Sequence, residues 1–294
     1  MTLRLRTLVL GFVAMLLAGV VGGAVLVYMG FYDISAMRQH TKPVFHLLDF
    51  AMARAIDVRA DAVPPGDLGE ERRVRAGLAQ FQRHCLQCHG APGVAPEALA
   101  FGLTPAPANL LHAGRTWPPS EIQWVVANGV KMTGMPGWGW RLSEEEIWDL
   151  VAFVQAMPRL SPRAYAELAG SLPGTAQAAA PVPAPPQPAP DGPATRPGRV
   201  DAGRFATQQY LCATCHVIPG VVGANQHVGP PLGGIAGRAY IGGVLPNSPE
   251  NMVRFLRDPQ AVDPLSAMPA LGLTEQDARD IAAFLFTLDK VEGK

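Results

Sequence analysis

The chain has 294 residues with 24 basic and 24 acidic side chains, so its formal net charge is zero. A length of this order predicts two domains of ordinary size, or two small domains with additional segments. The balanced charge excludes the strongly basic character typical of nucleic-acid-binding proteins, and we expect no nucleic-acid partner. With 29 prolines and 31 glycines, loops and at least one extended segment are expected.

The first element in chain order is an apolar N-terminal segment. Arg4 and Arg6 precede residues 7–32, which contain no charged side chain. A membrane helix needs about 20 apolar residues, whereas the apolar core of a cleaved signal peptide has only about 7–15. We therefore predict an uncleaved single-pass anchor, with Arg4 and Arg6 in the cytoplasm and the rest of the chain exported. Gly19 and Gly23 have the spacing at which a second transmembrane helix can approach closely.

Residues 33–66 predict an amphipathic segment next to the membrane. Pro43 can open a helix. The apolar residues that recur at helical spacing are Val44, Leu47, Leu48, Ala51 and Ile56. Such a helix can lie on the bilayer surface or dock on another subunit.

Residues 67–170 predict a compact helical unit. A helix from about Glu70 to His84 delivers Cys85. Ser120 is predicted to cap a short helix. Ser143 and Glu146 form a capping box that starts the last long helix of the unit.

A proline-rich linker, residues 171–198, follows with nine prolines. At ~3.1 Å per residue such a spacer can reach roughly 80 Å, so we expect one lobe to move relative to the other. Residues 199–294 then repeat the plan of the first unit, with helices predicted after Ser248 and Thr274.

The pattern Cys-x-x-Cys-His occurs at residues 85–89 and again at residues 212–216, and together the two copies use all four cysteines. Zinc is one alternative, but Cys-x-x-Cys pairs that share a zinc ion are usually about 15–20 residues apart in one small domain. A thioredoxin-like dithiol would need a βαβ context, and the sequence shows almost no strand pattern. A structural disulfide would leave the repeated histidine unexplained.

Covalent attachment of haem accounts for every residue of both motifs. Two thiols add to the two vinyl groups of the porphyrin, and the adjacent histidine becomes the proximal ligand of the iron. We expect two haem c groups. The first is assigned to Cys85, Cys88 and His89, and the second to Cys212, Cys215 and His216.

The sixth iron ligand is expected from a methionine in a loop between helices. Met135 in "GMPGW" and Met268 in "AMPAL" have this placement, and Trp138 is expected to contact the first haem. The weaker candidates are Met132 and His112 in the first unit, Met157 at a helix end and Met252 inside a helix pattern. Ligation by His and Met raises the reduction potential and leaves no open site, which favours electron transfer over catalysis.

Both units resemble class I cytochrome c domains. Gly77 and Phe81 precede Cys85 by eight and four residues, which matches the family's contact between its N- and C-terminal helices. The resemblance implies Trp148 as the crossing partner on the last helix. In the second unit the equivalent positions are Arg204 and Gln208. Three nearby residues suggest a shifted version of the contact: Gly203, Phe205 and Tyr210.

The resemblance also implies a carbonyl partner for each proximal histidine. The segment "GPPL", residues 229–232, resembles the family's Gly-Pro-x-Leu, whose proline carbonyl accepts a hydrogen bond from that histidine. Pro230 is therefore expected behind His216. In the first unit "PAPANL" makes Pro107 the counterpart.

Residues 237–288 further resemble the cytochrome domains that accompany haem–copper terminal oxidases. The resemblance implies a mainly α fold, in which a transmembrane helix precedes two small all-α cytochrome c domains joined by the Pro/Ala-rich linker. The implied function is a membrane-anchored diheme electron carrier of a respiratory chain, held in the bacterial inner membrane with its haem domains in the periplasm.

Such a carrier has no catalytic residues, and its partners are subunits of a terminal oxidase or a dehydrogenase, or a soluble cytochrome. The alternatives are a cytochrome subunit of a membrane-bound dehydrogenase and, with an open iron site, a diheme peroxidase or a haem-based sensor.

Overall fold

A computed structural model describes residues 2–172 and 196–289, with side chains from residue 4 onward. It divides into two compact units, Met1–Gln39 and His40–Lys294. The predicted linker, residues 171–198, lies almost entirely outside the described residues. Within the larger unit we call residues 67–172 the first lobe and residues 196–289 the second lobe.

The smaller unit contains one long helix, α1 (Thr2–Tyr28). Within Arg4–Tyr28 an 18-residue stretch has a mean hydropathy of 2.5, so the helix is long and apolar enough to cross a membrane. The helix ends before the predicted boundary at residue 32 because the chain turns at Gly30, whose φ is 64°. Phe31 N–H donates to the Leu26 carbonyl and Gly30 N–H to the Val27 carbonyl, which is the glycine-terminated end common to helices.

The regular secondary structure of the larger unit consists almost wholly of α-helices over its described residues. In chain order they are α2 (Lys42–Asp57), α3 (Glu71–His84), α4 (Leu86–His89), α5 (Leu110–Thr116), α6 (Pro119–Asn128), α7 (Glu144–Ala156), α8 (Pro162–Gly170), α9 (Val200–Gln209), α10 (Pro249–Arg257), α11 (Pro259–Val262) and α12 (Glu275–Leu285). Short 3-10 turns occupy Ala98–Ala100, Met157–Arg159, Cys212–Thr214 and Ile235–Gly237. The strands β1 (Tyr240–Ile241) and β2 (Leu245–Pro246) form a small antiparallel pair.

Local capping signals fix most helix starts. The capping box of Ser143 and Glu146 is present at α7 and confirms the prediction. The Ser248 and Thr274 side chains cap α10 and α12, also as predicted. The prediction for Ser120 is wrong: α6 begins at Pro119, because proline's fixed φ suits the first turn of a helix.

In the first lobe α3 crosses α7 at Gly77. A Cβ atom at this position would lie 1.8 Å from the Asp149 carbonyl oxygen, so the backbones approach too closely for any side chain. One turn later the Phe81 and Phe153 rings pack with centroids 5.0 Å apart. The prediction that Trp148 is the crossing partner is wrong, because Trp148 lies on another face of α7 and packs with Ile122.

In the second lobe α9 crosses α12 at Gly203. A Cβ atom there would again lie 1.8 Å from a carbonyl oxygen, that of Asp280. The crossing glycine precedes its motif by one residue more than Gly77 does. The extra residue is taken up at Leu211, which has a left-handed φ of 59° between the end of α9 and Cys212. The shifted contact expected from Gly203 is thus confirmed, although Thr207, and not an aromatic residue, lies one turn later.

Each crossing also holds a buried carboxylate that an arginine neutralises. Arg73 Nη1 donates to Asp149 Oδ1 at 2.8 Å in the first lobe. In the second lobe Arg196 donates to both Asp280 oxygens, at 2.9 and 2.8 Å, and the Arg199 N–H donates to Oδ1 at 2.7 Å. Burial disfavours the charged carboxylate, but these hydrogen bonds outweigh it and lower the pKa of Asp280.

The amphipathic helix predicted in residues 33–66 is α2. Ile56 is buried, and the helix packs against α6 of the first lobe. The opposite surface of α2 exposes Leu47, Phe50 and Val58. The helix is therefore docked on one side and apolar on the other.

Candidate haem-binding sites

In the first lobe a single helical turn presents the complete Cys-x-x-Cys-His motif. Cys85 is both the C-cap residue of α3 and the N-cap residue of α4. Its carbonyl accepts hydrogen bonds from the N–H groups of Cys88 at 3.1 Å and His89 at 3.0 Å. These hydrogen bonds hold the backbone of all three motif residues within one turn of the chain.

The motif of the second lobe has the same backbone hydrogen bonds. The Cys212 carbonyl accepts from Cys215 N–H at 3.2 Å and from His216 N–H at 3.0 Å. The local conformation is a 3-10 turn, Cys212–Thr214, where the first lobe has α-helix. The backbone hydrogen bonds of the motif are therefore repeated, although the type of turn differs.

Both motif histidines are held through Nδ1 by a backbone carbonyl. His216 Nδ1 lies 2.8 Å from the Pro230 carbonyl oxygen, and His89 Nδ1 lies 2.7 Å from that of Ala108. Burial lowers the pKa of both histidines, although each carbonyl opposes the shift. A neutral imidazole that donates through Nδ1 presents the Nε2 lone pair, as a metal ligand must.

Pro107 is not the partner of His89, which corrects the expectation for the first lobe. The carbonyl in contact belongs to the next residue, Ala108. The following residue, Asn109, caps α5 by accepting from the Leu111 N–H at 2.9 Å. The start of α5 thus determines which carbonyl faces His89.

A feature that the sequence analysis missed lies beside His216. A Cβ atom on Gly229 would lie 2.3 Å from Cε1 of the imidazole ring. The glycine therefore leaves the space in which the ring sits. Its position directly before Pro230 was visible in the sequence, but its contact with the ring was not.

The cysteines do not have the properties of a redox dithiol or a zinc site. Burial raises the pKa of the Cys85 and Cys212 thiols to about 12, and it raises the pKa of Cys88 and Cys215 as well. Reactive dithiols instead have a lowered pKa. Within residues 2–172 and 196–289, no three His, Cys, Asp or Glu side chains form a group that could hold a metal ion. These findings disfavour both alternatives.

The two candidate axial methionines occupy matching loops. Met135 and Met268 are both partly buried and both precede a proline. The Met135 N–H donates to Thr133 Oγ1 at 3.0 Å, and the Met268 N–H donates to Ser266 Oγ at 3.3 Å. A hydroxyl two residues earlier therefore fixes each loop, a match that the sequence shows as Ser/Thr-x-Met-Pro.

The other methionines have different surroundings. Met132 is 94% exposed. Met157 and Met252 are 1% and 2% exposed and belong to the hydrophobic cores of the two lobes. His112 lies on α5, where burial and the neighbouring His227 lower its pKa. None of these residues shares the loop geometry of Met135 and Met268.

Trp138 packs beside the first motif through a histidine. Its ring centroid lies 4.8 Å from that of His84, the residue before Cys85. The guanidinium carbon of Arg141 lies 5.8 Å from the same ring. The backbone N–H of Trp138 donates to the Val126 carbonyl, and this hydrogen bond attaches the methionine loop to α6.

Comparison with known proteins identifies the first lobe. Residues 72–154 match the family described as cytochrome c oxidase, cbb3-type, subunit III. These residues form a cytochrome c domain. The domain implies covalently bound haem c, and the thiols, the neutral imidazole and its carbonyl partner described above fit that group.

A second similarity is to cytochrome c oxidase subunit 2 of Alkalihalophilus pseudofirmus. The two sequences are 32% identical over 91 residues, which is 31% of this chain and 26% of that relative. The matched region thus spans about a quarter of the relative's length. No solved structure matches the chain. Both matches carry the name of a cytochrome c oxidase subunit.

Proposed function

We propose that this protein is a membrane-anchored diheme cytochrome c that carries electrons in a respiratory chain, donating to or forming part of a haem–copper terminal oxidase. The observation that carries the proposal is the repetition of one site. The hydrogen bond from the motif histidine N–H to the first cysteine carbonyl is 3.0 Å in both lobes. Both histidines also have a carbonyl at Nδ1, and both lobes have a glycine at the helix crossing.

Attachment requires no oxidant or reductant. Each cysteine S–H adds across one vinyl C=C, so that sulfur bonds to one carbon and hydrogen to the other. When bound, haem c supplies an iron that alternates between the ferric and ferrous states. His89 and His216 would hold the iron through Nε2, and the carbonyls of Ala108 and Pro230 would keep each imidazole in orientation.

Met135 and Met268 are proposed as the distal ligands. A thioether in this position completes the coordination of the iron and raises its reduction potential. With both irons saturated, no coordination position is left for a substrate, and the chain acts as an electron carrier and not as an enzyme. A diheme peroxidase or a haem sensor would need one open or labile site.

The apolar helix α1 and the chemistry of attachment support the proposed location. As an uncleaved anchor in the bacterial inner membrane, a helix of this length would leave the haem lobes on the periplasmic side. The similarity of the first lobe to an oxidase subunit family favours oxidase partners. A cytochrome subunit of a membrane-bound dehydrogenase is the alternative, because the same carrier can receive its electrons there.

Mass spectrometry of the full chain purified in mild detergent tests the number of haems. We expect two covalent haems in the unaltered chain and one in each of two double variants, Cys85→Ser with Cys88→Ser and Cys212→Ser with Cys215→Ser. One haem in the unaltered chain would contradict the diheme proposal. Identification of the co-purifying proteins separates the partners: oxidase subunits support the proposal, and dehydrogenase subunits support the alternative.

A further inference from the structure

The two lobes meet at the loop that follows the first haem motif, which contacts α9 and α11 of the second lobe. The Gly102 N–H donates to the Gln209 carbonyl at 3.1 Å, and Gln260 Nε2 donates to the Gly93 carbonyl at 3.2 Å. The first-lobe residues Ala95 and Phe101 also pack against the hydrophobic core of the second lobe. We call this set of contacts the seam. It differs from the expectation of lobes that move freely on the linker, because backbone and side-chain bonds join them directly.

Asn109 lies between the lobes, next to residues of both haem motifs. The carbonyl of the residue before it, Ala108, lies 2.7 Å from His89 Nδ1. Its own Nδ2 donates to Cys215 Sγ at 3.0 Å. One short piece of chain therefore touches the proximal histidine of the first site and a cysteine of the second.

The orientation of the Asn109 amide is determined by its capping role. Oδ1 accepts the Leu111 N–H at 2.9 Å at the start of α5, so Nδ2 must point away from that helix. The side chain is also partly buried, which strengthens a hydrogen bond relative to one in water. A capping residue without an N–H donor would keep α5 and lose the bond to Cys215.

We propose that Asn109 is a positioning residue that sets the reduction potential of the second haem from the first lobe and couples the two sites across the seam. The inference rests on the proposed function, since Cys215 must carry haem. The sulfur keeps lone pairs after attachment and still accepts the amide N–H. The positive end of that N–H dipole lies beside a group joined to the porphyrin, so it favours the more electron-rich ferrous state.

The same residue shortens the route between the sites. From His89 the route crosses one hydrogen bond to Ala108 and continues through the peptide to Asn109. A second hydrogen bond then reaches Cys215. When one electron crosses, one iron is oxidised and the other reduced, and no bond breaks and no proton moves.

Asn109→Ser is the test variant, because serine also caps helices but is too short to replace the amide bond to Cys215. Spectroelectrochemistry of the full chain, with two haems verified by mass, resolves the two midpoint potentials. Met268→Ala identifies which potential belongs to the second haem. We expect Asn109→Ser to lower the potential of the second haem and to leave that of the first unchanged.

Two controls separate the amide from other effects. Ser161→Ala removes the cap of α8 in the same lobe but neither hydrogen bond of Asn109, and it should move neither potential. Gln260→Ala removes a different seam contact together with a hydrogen bond to the Ser266 carbonyl, but it keeps the Ser266 hydroxyl that accepts from the Met268 N–H. It should leave the second potential closer to that of the unaltered chain than Asn109→Ser does. If Asn109→Ser does not fold, Asn109→Thr is used, since threonine is also a capping residue.

An unchanged second potential in Asn109→Ser would overturn the inference, and so would an equal shift of both potentials or an equal effect of Gln260→Ala. Fewer than two haems in the unaltered chain would instead overturn the proposed function. The two failures are therefore distinguished before any potential is compared.

Discussion

The two lobes reach the same geometry at the motif with different residues. In the first lobe Gly77 and Phe81 form the helix crossing, and an unbroken helical turn leads to Cys85. In the second lobe Gly203 forms the crossing, and Leu211 in a left-handed conformation absorbs one additional residue. The residues that are the same in both lobes are the glycine at the close helix crossing and the Cys-x-x-Cys-His motif itself. The positions between them tolerate change, because packing can be rebuilt from other side chains.

The largest expected effect concerns the two methionine loops. Met135→Ala and Met268→Ala should each open one iron, so that the ferrous protein binds carbon monoxide at one haem per variant. The unaltered chain should bind none. Optical spectra of the reduced protein with and without carbon monoxide measure this. Ready binding by the unaltered chain would contradict a saturated iron in that lobe and favour a peroxidase or sensor.

Substitution of the crossing glycine should destabilise the two lobes equally. Gly77→Ala and Gly203→Ala each place a methyl group 1.8 Å from a carbonyl oxygen, so the helices must separate. We expect each to lower the free energy of unfolding by about 3 kcal/mol, at the upper end of the range for overpacking. Denaturant unfolding gives the value, and Gly170→Ala, with no atom within 4 Å of the added Cβ, is the matched control. A tolerated Gly203→Ala would show that the second crossing is looser than the first.

The buried carboxylates of the two lobes should contribute different amounts to stability. Asp280 accepts from Arg196, Gln276 and the Arg199 N–H, whereas Asp149 accepts from Arg73. Asp280→Ala should therefore cost roughly 3 kcal/mol, because charge-assisted hydrogen bonds are lost and Arg196 loses its partner. We expect a smaller loss for Asp149→Ala, because Arg73 still has Asp67 as a partner. Equal losses in the two variants would contradict this ranking.

Asp280 also predicts a dependence of stability on pH. Its pKa is lower in the folded state than in the unfolded chain. The stability it contributes is therefore present above the unfolded pKa of about 3.9 and is lost as the pH falls through the folded value. Unfolding measured between neutral pH and the acid range should show that loss, and Asp280→Asn should weaken it. An identical pH profile for the variant would contradict the assignment.

The smallest expected effect is that of Met132→Gly, which distinguishes Met132 from Met135 in the first methionine loop. Met132 has a φ of 61° and is 94% exposed, so its side chain contributes little packing. Met132→Gly should change the free energy of unfolding by no more than about 1 kcal/mol, because relief of the left-handed conformation offsets the added chain entropy. It should also leave the first haem's potential unchanged. A shift comparable to that of Met135→Ala would transfer the ligand role to Met132.

Much of the helical organisation was predictable because its signals are local. Ser143 with Glu146, Ser248 and Thr274 identify helix starts, since each satisfies N–H groups within its own first turn. The spacing within residues 85–89 and 212–216 likewise needs one turn of chain. The recurrence of apolar residues at helical spacing predicted the helix α2 but not its docked face, because Leu47 and Leu48 of the predicted apolar set are exposed whereas Ile56 is buried.

The sequence by itself determined the apolar N-terminal helix, the two Cys-x-x-Cys-His motifs, the helix starts at Ser143, Ser248 and Thr274, and the loops that carry Met135 and Met268. The tertiary structure decided that Asp149 and Phe153, and not Trp148, meet Gly77, that Ala108, and not Pro107, faces His89, and that Asn109 reaches Cys215. The physical reason is distance along the chain. Motifs and caps are satisfied within a few residues, whereas these contacts depend on how separate helices and lobes approach, which no local pattern encodes.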